Sequence, residues 1–490
     1  MTPGPRTALV CLVALIGSCA HVATETSGDL VEIDCPEHQV SGDVYCRTLT
    51  VAENPDVPDG RQIPIRIMVL SATGDSPEAD PLVIIPGGPG QSAIAAPNLR
   101  SFFSEYFAEI RTHRDIVLVD QRGVGGSNPL PLEPPASLLF VRTQVNLPPE
   151  WGRAALERLQ QHADLTQYTT ARAVDDLEAV RRALGTEKIN IYATSYGTRV
   201  AQYYLKRFGN RVRSAILKGV SPPDDNIVLS YGRKPQRALD ILYAMCASDT
   251  QCNKTYPDLP AQLDAVLDRL ARDPVDVELQ HPLSGNLASF RITRGSLAFG
   301  IRAQLMNAFA FARLPRLISQ ANEGDFSSWT QFLPRIPALY ASQLYGGMTF
   351  SVVAAEDAPR VTKAAMALDS YATLIGDEVA QSFMELADFW PIEDAPDDLF
   401  TPLRTDVPIL LVSGALDPAT PPEGAESMLA GLTNGTHIVF RGGSHSAANF
   451  DGLDQIMADF LSEGSAENLD LSAVDNNHPP AFETEANRGS

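Results

Sequence analysis

Three short stretches of this 490-residue chain carry side chains suited to acyl transfer. Ser195 lies in Ala193-Thr194-Ser195-Tyr196-Gly197, flanked by small residues. A serine hydroxyl is a weak nucleophile at neutral pH and needs an adjacent base. His445, in Gly442-Gly443-Ser444-His445-Ser446, is the candidate base, because its glycines let a loop carry the imidazole to the serine. Asp417, in Ser413-Gly414-Ala415-Leu416-Asp417-Pro418, is the candidate that orients the imidazole and stabilises the imidazolium. The tetrahedral oxyanion needs preorganised N–H donors. Pro86-Gly87-Gly88-Pro89-Gly90 can turn its amides inward, so Gly88 (or its neighbour Gly87) and the amide of Tyr196 are the expected donors. Asp406 and His437 are weaker competitors, since both lie at the start of their strands and so at the wrong sheet edge.

Those residues need a scaffold that gathers them at one edge. The order Ser, Asp, His belongs to the α/β-hydrolase fold, and other serine hydrolases use different orders. The elements agree. Short apolar runs at Leu82 to Ile85, Asp115 to Val119, Ile189 to Ala193, Ser214 to Val220, Val407 to Ser413 and Thr436 to Phe440 suit buried parallel strands. Gln62 to Leu70 is rich in β-branched residues, with Pro64 marking an edge or a bulge. Helices are expected at Ala171 to Leu184, capped by Thr170 and stopped by Gly185, at Arg199 to Phe208, and at Leu453 to Leu461. Residues 32–220 and 401–463 thus read as two parts of one hydrolase core. Residues 221–400 break the rhythm and read as a helical cap, with helices near 232–247, 259–272, 294–308 and 361–389 and a hairpin around Ser284-Gly285-Asn286. Residues 464–490 are acidic and polar and are expected to be disordered.

The formal net charge is −22, with no basic stripe, which argues against a nucleic-acid partner. Arg6 followed by the apolar run Ala8 to Ile16 reads as a secretory signal over residues 1–18, too short to span a bilayer. It ends in Leu15-Ile16-Gly17-Ser18-Cys19, which resembles a bacterial lipobox, so Cys19 is the candidate lipidation site and residues 19–31 a tether. The expected location is the periplasm or cell envelope. Cys35, Cys46, Cys246 and Cys252 remain, and four cysteines allow three pairings. The short-range one, Cys35 with Cys46 and Cys246 with Cys252, is the simplest, and export permits it. No metal or other cofactor is indicated, because neither pair is a Cys-x-x-Cys and no histidine cluster lies nearby.

Pro86–Gly90, then Asp120-Gln121-Arg122-Gly123-Val124-Gly125-Gly126-Ser127, then Ala193–Arg199, occur in the order typical of one family. Together they resemble the proline-iminopeptidase and tripeptidyl-aminopeptidase-like branch of the α/β-hydrolases, over roughly residues 32–462. The resemblance implies the triad Ser195, Asp417 and His445, with Gly88 and Tyr196 as oxyanion donors. It also implies a helical cap with acidic residues reading a peptide's free amine. Glu356 and Asp357, in the cap stretch Met348 to Asp357, are the candidates for that task, and Asp120 to Gly123 is expected to be structural. Two departures stand out: Ala193 replaces the usual glycine, and Ala354 and Ala387 stand where relatives often carry cysteines. The expected activity is release of N-terminal residues or short peptides through an acyl-enzyme. A carboxylesterase with the same triad is the alternative within enzymes, and a non-catalytic binding lipoprotein the alternative outside them.

Overall fold

Alternate residues of each central strand enter different cores, one on either side of a single sheet. The computed structural model describes residues 30–36, 40–95, 106–132, 149–280, 285–336 and 344–484. Its strands are β1 (Leu30–Ile33), β2 (Val44–Ala52), β3 (Gln62–Leu70), β4 (Leu82–Ile85), β5 (Ile116–Val119), β6 (Ile189–Thr194), β7 (Val212–Lys218), β8 (Val275–Gln280), β9 (Leu287–Ile292), β10 (Ile409–Gly414) and β11 (Gly435–Phe440). The main sheet runs β1-β2-β3-β5-β4-β6-β7-β10-β11. Its pairs are antiparallel as far as β3–β5 and parallel beyond. Strands β4, β5 and β10 are buried along their whole length, which is why they read as unbroken apolar runs. Pro64 lies outside the stretch of β3 that β5 pairs, Ile67 to Leu70, so its missing N–H is tolerated there.

Val83, Ile85 and Ile191 face helices Thr170–Ala183 and Tyr196–Phe208, packing with Val174, Leu177, Val180, Val200 and Tyr204. Leu82, Ile84 and Tyr192 face helices Ala108–His113 and Leu453–Glu463, packing with Ile110, Met457 and Phe460. Each such fully buried aliphatic side chain contributes about 1.5–3 kcal/mol over an exposed one. The helix cap is Thr169, whose hydroxyl accepts from Arg172 N, rather than Thr170.

Between β7 and β10 the chain is mainly helical, with Arg233–Ser248, Leu259–Arg272, Arg294–Leu305 and Leu314–Asn322, and the hairpin β8–β9. These elements own a separate apolar core that includes Leu242, Val266, Phe290, Ile301 and Trp329. The helix expected over 294–308 divides at Asn307, whose side-chain oxygen accepts from the amides of Phe309 and Ala310 and starts a new turn. The helix expected over 361–389 is two, Lys363–Ser370 and Glu378–Ala387, separated by positive φ at Ala372 and Gly376. Residues 345–357 differ from the rest of the cap: Met348, Val352 and Ala354 pack into the hydrolase core with Trp390.

The cysteines form the short-range pairs Cys35–Cys46 and Cys246–Cys252. Residues 1–18 and Cys19 lie outside the described residues, and β1 already begins at Leu30, within the stretch expected as tether. The acidic tail departs from the expectation of disorder over 465–484. Val474 packs beside Met457 and Phe460, Phe482 enters the apolar core of the cap, and Glu483 pairs with Arg313 at 2.8 Å and Arg316 at 3.0 Å. Composition hid this because a few spaced apolar residues and side-chain amides hold the segment.

Candidate active site

Strand β6 ends directly at Ser195, which has φ 55° and ψ −127° and precedes helix Tyr196–Phe208. A non-glycine residue rarely adopts positive φ, and such strain concentrates at functional sites. The turn is tight enough that a Cβ on Gly197 would lie 2.4 Å from the Ile85 carbonyl oxygen and 2.5 Å from that of Pro86. Only glycine fits at that position. Ala193, by contrast, is a buried strand residue paired with Ile85 and Leu217, and its methyl is accommodated.

The Pro86–Gly90 turn runs beside the serine: a Cβ on Gly87 would lie 2.9 Å from Ser195 Cβ. Tyr196 opens a helix, where the first amides lack intrahelical partners and carry partial positive charge. The next segment is held by Asp120, which accepts from Ser92 Oγ at 2.5 Å and from the amides of Ala93, Ile94 and Gly126. Burial pushes the Asp120 carboxyl up against those donors. Arg122 is fully buried and forms a two-point pair with Asp176 at 2.7 and 2.8 Å. The Asp-Gln-Arg-Gly stretch is therefore structural, as expected.

At the adjoining edge, Asp417 follows β10 and His445 follows β11. His445 Nδ1 lies 2.9 Å from Asp417 Oδ2 and 3.1 Å from Oδ1. Asp417 is almost completely buried, and its Oδ1 also accepts from the amides of Ala419 and Thr420. Burial alone would raise its pKa; the His445 imidazole and those amides outweigh it and hold the carboxyl well below the usual range.

Three neighbours escape the sequence reading. Thr420 Oγ1 donates to Asp417 Oδ2 at 2.9 Å and lies 3.1 Å from His445 Nδ1. Lys218, the last residue of β7, buries its ammonium beneath the histidine loop. Its Nζ donates to the carbonyls of His445 at 3.0 Å and Ser446 at 3.3 Å and sits 4.3 Å from the Phe450 ring centre. Burial lowers its pKa to about 8 despite the Asp417 charge. Its own carbonyl accepts from Ser195 N at 3.0 Å, so one residue touches both the serine turn and the histidine loop. Gly219 follows with φ 63°, and a Cβ there would meet Thr420 Oγ1 at 2.7 Å. A lysine inside an apolar strand, and a threonine three residues after an aspartate, were the available signals.

The assignment of Glu356 and Asp357 to the substrate amine is corrected. Both are wholly buried. Glu356 accepts from Thr170 N at 2.7 Å and Thr170 Oγ1 at 2.8 Å, and lies 3.3 Å from Arg199. Asp357 pairs with Arg199 and Arg360, each at 3.0 Å. Burial pushes the Glu356 carboxyl up even beside Arg199. Carboxylates so enclosed tie residues 353–357 to the core and offer no open face to a ligand. Among the described residues no cluster suited to a metal ion occurs.

Comparison with known proteins agrees with this architecture. Residues 80–255 match the family model described as alpha/beta hydrolase fold, and residues 372–473 match that described as TAP-like protein. The chain is 26% identical over 502 aligned residues to the serine protease Hip1 of Mycobacterium tuberculosis, covering 93% of each chain. It is 30% identical over 194 residues to a tripeptidyl aminopeptidase of Streptomyces coelicolor, covering 37% of this chain and 36% of that one. A probable proline iminopeptidase of the same organism is 30% identical over 166 residues, 34% of this chain and 39% of that one. The protein is a serine hydrolase of the α/β-hydrolase fold, and its sequence is similar to the proline-iminopeptidase and tripeptidyl-aminopeptidase-like branch of that fold.

Proposed function

We propose that this chain is an exported aminopeptidase that releases N-terminal residues or short peptides. Ser195 attacks the scissile carbonyl while His445 Nε2 takes its proton, and Asp417 steadies the imidazolium through Nδ1. The amides of Gly88 and Tyr196 stabilise the oxyanion. His445 then returns the proton to the leaving amine, and water releases the acyl group by the same route.

The observation that carries the peptidase reading is the anchoring of the cap on both flanks of Ser195. On one flank Tyr345 N donates to Gly90 O at 2.8 Å and Thr349 Oγ1 to Pro89 O at 2.7 Å. On the other, Ser446 N donates to Met306 O at 2.9 Å and Ser444 Oγ to Leu305 O at 2.6 Å. A roof tied to both sides favours a chain end over an internal loop of a folded protein. The relatives' printed activities, serine protease and tripeptidyl aminopeptidase, support the same choice. Two disulfides support an oxidising compartment, and residues 1–18 supply a signal with Cys19 as lipid anchor. Loss of labelling by a fatty-acid analogue in Cys19→Ala tests the anchor.

One observation favours the esterase alternative: Glu356 and Asp357 are enclosed, which removes the expected readers of a free amine. A panel of Pro-, Ala- and Ala-Ala-Pro-type arylamides plus a butyrate ester, beside Ser195→Ala, decides between the two. Serine-dependent arylamide cleavage abolished by N-acetylation is expected. Ester turnover alone refutes the peptidase reading.

A further inference from the structure

The loop that carries His445 runs from Gly442 to Asn449, between β11 and the last long helix. Its two ends are tied by Asn449, whose Nδ2 donates to Gly442 O at 2.8 Å. The tie is completed from outside the loop. Asn477 Oδ1 accepts from Gly442 N at 2.6 Å, and Asn477 Nδ2 donates to Asn449 O at 3.1 Å. Asn449 Nδ2 returns a bond to the backbone of the same segment, at His478 O, 3.0 Å away. The contact is close: a Cβ on Gly442 would lie 2.2 Å from His478 O. Asn477 is only 5% exposed, and both ends of its amide are spent on the loop rather than on its own segment.

A few residues later the same segment is fixed to the cap. Phe482 is buried in the cap's apolar core, Glu483 N donates to Ala312 O at 3.2 Å, and Tyr256 Oη donates to Glu483 O at 2.8 Å. We propose that Asn477 is a positioning residue for His445, and that residues 477–483 form a clasp which ties the placement of that base to the seating of the cap. The inference rests on the reading of His445 as the base of Ser195. A base must stand within hydrogen-bond reach of the hydroxyl, and a displacement of about 1 Å lowers turnover by up to about 100-fold. Beside His445 the loop is held to the cap by Ser446 N on Met306 O and Ser444 Oγ on Leu305 O, while its ends need other partners. Lys218 holds it from the core side at His445 O and Ser446 O, and Asn477 holds its base from the tail side.

The test compares wild type, Asn477→Ala, Asn477→Asp and Asn449→Gly in the full mature chain. Asn449 has φ 64°, which glycine accepts, so Asn449→Gly removes the side-chain bonds to Gly442 O and His478 O without backbone strain; it leaves both Asn477 bonds in place and tests the loop's other link to the clasp if Asn477→Ala does not fold. Readouts are kcat and KM on the best substrate of the panel, the second-order rate of fluorophosphonate labelling, and melting temperature. Asn477→Ala and Asn449→Gly are expected to lower kcat and the labelling rate about 10-fold with KM within about twofold, as a displaced base requires. Asn477→Asp keeps the acceptor for Gly442 N and is expected to recover most of the rate. Wild-type kcat and labelling in folded Asn477→Ala or Asn449→Gly, with only the melting temperature lowered, overturns this inference alone. Labelling of Ser195→Ala at the wild-type rate overturns the site reading and the inference with it.

Discussion

Gly219→Ala separates backbone strain from damage to the site, because the chain supplies its own control. Gly219 and Gly185 have similar positive φ, 63° and 71°. An alanine in that region costs about 1–2 kcal/mol at either position. At Gly185 nothing lies within 4 Å of the added Cβ, so the variant should lose that amount and no more. At Gly219 the Cβ lands 2.7 Å from Thr420 Oγ1, with Asp417 Oδ2 and His445 Cε1 each at 3.7 Å. The hydroxyl cannot retreat without leaving Asp417, and a hydrogen bond to a charged group contributes about 1.5–3 kcal/mol. Gly219→Ala should therefore lose roughly 2.5–5 kcal/mol in total. Its kcat/KM should fall about 100-fold, equivalent to about 2.7 kcal/mol of transition-state stabilisation, while Gly185→Ala keeps wild-type turnover. Paired thermal melts and steady-state kinetics on the two variants measure both effects. Equal melting temperatures for the two, or wild-type kcat/KM in Gly219→Ala, would show that the close packing beneath the Asp–His pair has no part in placing it.

Thr420→Val keeps the side-chain shape and removes the hydroxyl shared with Asp417 and His445; kcat/KM should fall roughly fivefold, about 1 kcal/mol, with KM little changed. Lys218 has a folded pKa near 8, below its unfolded value near 10.5, so the folded state sheds a proton that the unfolded chain retains between those pH values. Stability from this group rises with pH across that window, by on the order of 3 kcal/mol, and Lys218→Met should lack the rise. Parallel plots of melting temperature against pH for wild type and Lys218→Met would refute it. Cys246→Ser/Cys252→Ser opens a loop that closes over six residues of separation and should cost about 2–3 kcal/mol, read as a lower melting temperature in the absence of reductant.

The parts of the site that sequence exposes are those whose chemistry is bound to a local backbone shape. Ser195 is legible because Gly197 must let it approach the Ile85 and Pro86 carbonyls, and no other residue type allows that. Asp417 is legible because it follows the wholly buried strand β10, and His445 because a glycine turn follows the half-buried strand β11. Glu356 and Asp357 were misread for a physical reason: paired carboxylates look alike whether they face a ligand or a buried arginine, and Arg199 lies 157 and 158 residues away in sequence. The tail was misread likewise, since its burial depends on spaced residues such as Val474, Asn477 and Phe482 whose partners are distant. Helix ends within the cap were missed where single residues, Asn307 and Ala372, redirect the backbone.

The anchoring of residues 482–483 in the cap changes how many ways that layer is held. An insertion joined to its parent by two consecutive crossings has an axis through them about which it can swing. A third attachment off that axis removes the swing. A cap held in this way predicts turnover that responds weakly to solvent viscosity, because no swing of the layer would gate entry and exit.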